Sequence, residues 1–264
     1  MEIHKPKPWH NLGELLQEVG VIVIGVLIAL GAEQIADGLH WRHKIEQAKH
    51  AMRIELVEDD GPQAWARIAT VRCFDGQLDA LQALVSNQAE RSAFRKAALA
   101  YTPPSRSWDS TSWQAVVASD VGTHMGAEEM VRWSSPYRTA PLMQQLGDAE
   151  QRSRTALAAI RDRKGSLSEA EADRAEGLIA DLRADNMAMA GSGMVLLQAM
   201  RQAGLELPGA ARDDILKQTR TVLGACALDP TPVLVERGPL TVTDTRQFDN
   251  QGTIRQLFGL PPLK

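Results

Sequence analysis

The chain is 264 residues long, 44% hydrophobic and 23% charged, with a formal net charge of −4. That composition excludes wholesale disorder, which requires few apolar residues. The acidic balance argues against a nucleic-acid partner, which calls for a basic face, and the length suffices for one full-sized core or two small ones.

Residues 1–14 read as an N-terminal tail carrying Lys5, Lys7 and Trp9. The run 19–32, VGVIVIGVLIALGA, holds no charge and no strong polar group. Extended to 15–35 it reaches the roughly 20 residues that cross a bilayer core. Gln17 and Glu18 then sit at one headgroup level, and Glu33 and Gln34 at the other. Trp9 and Trp41 lie further out, where interfacial aromatics are expected. A cleaved signal peptide fits less well, because Glu14 and Glu18 stand beside only two lysines and Ala29-Leu30-Gly31 is a mediocre cut site. A core helix of a soluble protein is the other alternative, but an apolar surface on every side favours lipid. We read 15–35 as a single transmembrane helix.

Gly25 and Ala29, four residues apart, are the candidate packing positions of this anchor. Small side chains at that spacing let two membrane helices approach closely, although plain tolerance of glycine in such helices explains them equally well. Lys5 and Lys7 precede the anchor, whereas Arg42, Lys44, Lys49 and Arg53 follow it. Counted alone, these charges lean towards a cytoplasmic domain.

Beyond the anchor, Trp41, Ile45, Ala48, Met52 and Leu56 recur at helical spacing, so 36–60 is expected to continue as a helical stalk. His40, His43 and Glu46 share one face of it, a spacing that suits either a metal or a solvated surface, and the surface is the simpler reading. Asp59-Asp60-Gly61-Pro62 is expected to stop this helix and start the next.

Residues 61–228 are expected to form a helical bundle. Ile68, Val71, Phe74, Leu78, Leu81 and Val85 give the first apolar stripe. Shorter helices follow at 92–101, 110–118 and 125–133. A long one is expected to open at Pro136, run to Lys164-Gly165 and kink at Pro141. Ser168 with Glu171 forms a capping box for a helix reaching Ala203-Gly204, and a last helix covers 210–227. From Asp229 to the end the chain reads as an extended, irregular tail, with a weak hairpin signal at 233–235 and 240–242. The fold class is therefore all-α: a transmembrane helix and stalk, then an antiparallel bundle with an irregular C-terminal tail.

Cys73 and Cys226 fall in separate helices. Two buried thiols acting as small hydrophobes is the favoured reading; a disulfide is open only in an oxidising compartment. Met187, Met189, Met194 and Met200 surround Gly191-Ser192-Gly193 and read as core filler beside a close helix contact rather than as copper ligands. Glu169, Glu171, Asp173 and Glu176 alternate with Arg and Ala as on a solvated face. His124 has no identifiable partner, and the chain has no nucleophile elbow, P-loop or dinucleotide fingerprint. No catalytic residue, cofactor or metal ligand is assigned, and an enzyme is not expected. Trp108, Trp113, Trp133 and Tyr137 are the candidate pocket or partner surface, since aromatic side chains dominate binding energetics; aromatic plugs in a helical core are the alternative.

Two stretches carry a resemblance. One is the anchor from Glu18 to Leu30, EVGVIVIGVLIAL. The other is Ser112-Trp113-Gln114-Ala115-Val116-Val117-Ala118-Ser119-Asp120, followed by a helix ending near Tyr137. Together they resemble a group of uncharacterised bacterial single-pass membrane proteins with an N-terminal transmembrane helix and a helical extracytoplasmic domain. In that group a Thr/Ser-Trp-x-x-Leu-x-Ser-Gly segment recurs in mid-domain. Here Val117 stands near the Leu position and Asp120 replaces the Gly. The resemblance implies an inner-membrane location with the domain in the periplasm, against the charge count, and brings no ligand or catalytic residue. The expected function is a membrane-anchored, non-enzymatic interaction protein, an accessory subunit or scaffold. Its partners are the lipid bilayer and a membrane protein or a second copy. The alternative is a periplasmic ligand-sensing helical domain, which the lack of a second membrane span in this sequence weakens.

Overall fold

The computed structural model describes residues 12–87, 90–104, 107–232 and 259–260. The N-terminal lysines, Trp9 and the suggested hairpin at 233–242 lie outside the described residues. Every described element is helical, and no strand occurs among the described residues, as the helical periodicity led us to expect. The chain divides into two compact units, Met1–Lys49 and His50–Lys264.

Helix α1 (Leu12–Ile54) is 43 residues long. At 1.5 Å per residue it runs about 65 Å, roughly twice a bilayer core. Its apolar run is open to its surroundings on all sides, with Ile28 68% and Leu27 62% exposed. Among the described residues, this one helix is long and apolar enough to cross a membrane. Just past the apolar run, the edge of the His40 ring meets Trp41, and the Lys44 ammonium lies 5.0 Å from the Trp41 ring centre. His43 pairs with Gln47, and Glu46 with Lys49.

In the second unit the expected stop at Asp59-Asp60-Gly61-Pro62 does not occur. A π-helical segment (Glu55–Asp60) leads directly into α2 (Gly61–Ser86), and the Gly61 N–H donates to Leu56 O, five residues back. Pro62 lacks a donor and crowds the preceding turn of an ordinary helix; widening by one residue per turn carries the chain past it. Met52, Glu55, Leu56 and Asp60 are buried, so the last two turns of the expected stalk belong to the globular core.

The remaining helices are α3 (Arg91–Ala100), α4 (Thr111–Ala118), α5 (Val121–His124), α6 (Ala127–Tyr137), α7 (Ala140–Arg161), α8 (Glu169–Gln202) and α9 (Gly209–Leu223), followed by a 3-10 turn (Gly224–Cys226). Pro136 does not open the long helix: it sits in the last turn of α6, the chain breaks at Arg138–Thr139, and Pro141 occupies the first turn of α7. Proline suits that place because first-turn amides have no intrahelical acceptor.

The core is built by α2, α7 and α8. Phe74, Leu78, Leu81 and Val85 of α2 pack with Phe94, Tyr101, Leu157, Ile160, Ala175, Ile179 and Leu182. One level along, Ile68 and Val71 meet Met187, Ala190 and Met194, with Leu197 and Leu260 packed against them. Rising numbers on α2 meet falling numbers on α8, so these two run antiparallel. Arg67 meets Glu150 on α7, however, while the later α2 residues meet Leu157 and Ile160. Helices α2 and α7 therefore run parallel, and α3 to α6 form the crossover between them.

Gly193 lets the two long helices close up: a Cβ there would lie 3.3 Å from Ala64 O. The methionines around it are buried as core, as expected. Ser168 and Glu171 form the anticipated capping box at the start of α8. Arg91 ties this corner together. Its guanidinium donates to Gly165 O (2.7 Å), Ile160 O (2.6 Å), Ser166 O (2.6 Å) and Glu171 Oε2 (2.6 Å).

The cysteines correct the favoured reading. Cys73 and Cys226 are joined as a disulfide, with Cα atoms 5.1 Å apart. The last turns after α9 return to α2, where Leu228 N–H donates to Ala69 O (3.0 Å), and this brings the two thiols together. Their separation of 153 residues leaves no local signal for the pairing.

Candidate functional site

The segment 107–118, which carries Trp108 and Trp113, is held down by side chains rather than by neighbouring backbone. Asp109 starts it: its carboxylate accepts from the Thr111 N–H (2.8 Å) and hydroxyl (2.5 Å), which holds its pKa below the usual range. That local turn sets up α4, as Asp commonly does near a helix start. Glu55 of the π-helical segment then accepts the Ser112 N–H (2.9 Å), satisfying one of the orphan amides in the first turn of α4. Asp60 accepts the Asp109 N–H (3.4 Å), and Gln144 of α7 accepts the Trp108 N–H (3.1 Å).

Glu55 and Asp60 are 7% and 1% exposed. Glu55 Oε1 has no hydrogen-bond partner among the described residues. Burial pushes the Asp60 carboxyl up to about 7; the Asp109 N–H opposes this, while the charges of Glu55, Asp109 and Asp59 add to it. Tyr137 completes the group. Its hydroxyl donates to Met52 O (3.3 Å), and its ring lies stacked on Trp113 at 5.8 Å and 13°. Burial, then the charge of Glu55, raises the phenol well above its ordinary range.

A second polar centre lies beneath Trp108. Arg67 and Glu150 form a buried two-pronged pair (2.9 and 3.2 Å), and Arg67 also donates to Pro104 O (3.2 Å). Tyr101 reaches Glu150 at 3.5 Å. Trp108, Gln63, Gly147 and Met189 close a cavity of about 20 Å³ over this pair. That is room for one water molecule and no more.

The four aromatics are thus not equivalent. Trp133 and Tyr137 are buried at 5% and 4% exposure, Trp113 lies half-buried on Tyr137, and Trp108 lines the Arg67–Glu150 cavity. The structure brings Trp113 and Tyr137 into contact. At the anchor, Gly25 has open space where a Cβ would stand.

Sequence reasoning passed over Glu55, Asp60, Arg67, Glu150 and Arg91. The acid-rich ELVEDDGP run reads as a helix stop, so its two buried carboxylates were indistinguishable from solvated ones. Arg67 and Glu150 lie 83 positions apart, and no local pattern links them.

Comparison with protein-family models, with curated proteins and with solved structures finds no match.

Proposed function

We propose that the chain is a membrane-anchored, non-enzymatic interaction protein, an accessory subunit or scaffold, whose helical domain lies on the periplasmic side of a bacterial inner membrane. The observation that carries this reading is the pairing of a membrane-length apolar helix with a disulfide-closed helical unit. Disulfides persist in oxidising compartments and are rare in the cytosol. That outweighs the four basic residues after the anchor, because a long domain translocates largely regardless of such charges. The resemblance drawn from the anchor and the Ser112-Trp113 segment points the same way.

A non-enzymatic role is supported by what the buried ionisable groups do. Glu55 and Asp60 hold backbone amides, and Glu150 holds Arg67. A catalytic carboxylate instead needs reach to a substrate in a cleft. The partner would be an integral membrane protein or a second copy meeting the Gly25–Ala29 face. Affinity purification of the full chain in mild detergent, with mass spectrometry of what co-elutes, tests this. A reproducible stoichiometric partner, or a self-complex lost on Gly25→Ile with Ala29→Ile, supports it. A protein recovered alone and monomeric overturns it.

One observation favours the alternative of ligand sensing. A cleft of about 220 Å³ lies between the end of α3 and α7, lined by Leu99, Tyr101, Thr102, Arg154, Leu157 and Arg161. It falls short of the roughly 300 Å³ at which drug-sized pockets begin. A small organic anion that raises the melting temperature of the wild type but not of Arg154→Ala would move the balance to that reading.

A further inference from the structure

Two buried carboxylates share the π-helical segment, and no cation pairs with either among the described residues. Glu55 and Asp60 open and close the π-helical segment, and both carboxylates accept amides of the 107–118 segment, so both lie on the side that faces it. The titratable groups around Asp60 are Glu55 and Asp59 on its own segment, Asp109 on the 107–118 segment and Tyr137 on α6. All are acidic or neutral, and no ion pair reaches either carboxylate among the described residues. Each of the two accepts a backbone N–H from the 107–118 segment, at Asp109 and Ser112. Two charges buried this way destabilise the arrangement, and sites that force carboxylates together keep a proton on one of them. A proton here removes one of the two buried charges.

We propose that Glu55 and Asp60 form a proton-operated latch, which holds the 107–118 segment on the π-helical segment while one carboxyl is protonated and frees it when both are charged. The sign follows from the latched carboxyl. Asp60 binds its proton up to about 7 when latched, against an ordinary value of 3.8. Released into water it returns towards the ordinary value, so the latched form binds more protons between these limits. Latching is therefore strongest in acid, weakens as pH rises from about 4 to about 7, and is constant above that. Release lifts Trp113 from Tyr137 and opens the faces of both rings. A domain exposed to the medium outside the cytoplasm would thereby offer an aromatic surface according to external pH. The latch does not depend on the interaction-protein reading, since it stands on the contacts of these residues alone.

The test is hydrogen–deuterium exchange on the full chain in detergent micelles from pH 5 to 8.5, corrected for intrinsic exchange rates. Protection of the Asp109 and Ser112 amides should fall by up to about tenfold per pH unit until pH about 7 and then level off, as one released proton requires. Amides in the middle of α8 should hold constant, which separates unlatching from general loss of stability. Asp60→Asn, neutral at every pH, should keep the segment protected throughout; should that variant not fold, Glu55→Gln serves instead and, by removing a charge that raises Asp60, should move the levelling-off to lower pH and shrink the fall. A wild-type change below about threefold between pH 5 and 7.5, or a neutral variant that follows the wild-type curve, overturns the latch.

Discussion

Arg91 closes the corner where α7 ends and α8 begins. Four acceptors from three stretches of chain converge on its guanidinium, whose side chain is 8% exposed. They include the carbonyl of Ile160 in the last turn of α7, where helix carbonyls lack their usual partner four residues on and take other donors. They also include Glu171, whose carboxylate is held down to about 2, chiefly by the Ser168 N–H and then by Arg91. Arg91→Ala removes a shared donor from these acceptors, although Glu171 keeps Ser168 and Arg163, and is expected to lower the unfolding free energy by about 1–3 kcal/mol. Arg91→Lys should recover little, because an ammonium cannot reproduce the planar fork. Denaturant titration of the full chain checks both, and a loss below about 1 kcal/mol for the alanine variant would show that the corner is held by other contacts. None of this was legible beforehand. An arginine at the first position of a short amphipathic helix looks like a surface residue, and its acceptors lie some seventy to eighty positions away. The capping box was legible because its two members are three apart.

At the level of elements, apolar periodicity located most of the described helices. It missed the four-residue α5, too short to show a period, and its two misplaced boundaries both occurred at prolines. Asp59-Asp60-Gly61-Pro62 carries every mark of a helix boundary, yet the π-helical segment takes the chain through it. Pro136 was expected to open a helix and instead ends one. Proline forbids one hydrogen bond, and several local geometries satisfy that prohibition; tertiary packing selects among them. Here the packing is visible at Gly61, where a Cβ would stand 2.7 Å from Leu56 O, 2.9 Å from Met200 Cε and 3.0 Å from Leu207 Cδ2. Gly61→Ala must displace backbone as well as side chains. It is expected to cost about 1–3 kcal/mol, the usual range for overpacking, and to disturb Glu55 and Asp60 with it. A midpoint shift in urea, with loss of Ser112 amide protection at acid pH, is the readout; an unchanged midpoint would mean that the π-helical segment yields freely.

At the scale of the whole molecule, the all-α architecture follows from the spacing of apolar residues, whereas the topology does not. The parallel arrangement of α2 and α7 depends on buried pairs such as Arg67–Glu150, and on the stretch α3 to α6 reaching across between them. The disulfide depends on α9 and the turn after it returning to α2. Burial alone is consistent with free thiols as well, which is why composition favoured the wrong state. Cys73→Ser should lower stability by about 2–5 kcal/mol, as loss of a native disulfide typically does, and Cys226→Ser by a similar amount with no further loss when the two are combined. Thermal melts of the three variants test this, and additive losses would show that each side chain acts through its own packing instead.

The sequence holds two cysteines, and the described fold uses both. If the chain is threaded outward from its N-terminal end, Cys73 emerges first and waits while 153 further positions follow it. These two cysteines offer one intrachain bond, so no wrong pairing between them can occur during maturation. An electron acceptor that oxidises thiols is then sufficient, and a disulfide isomerase has nothing to correct. The hazard that remains is between neighbours: crowded, half-exported copies presenting lone Cys73 thiols would cross-link to each other.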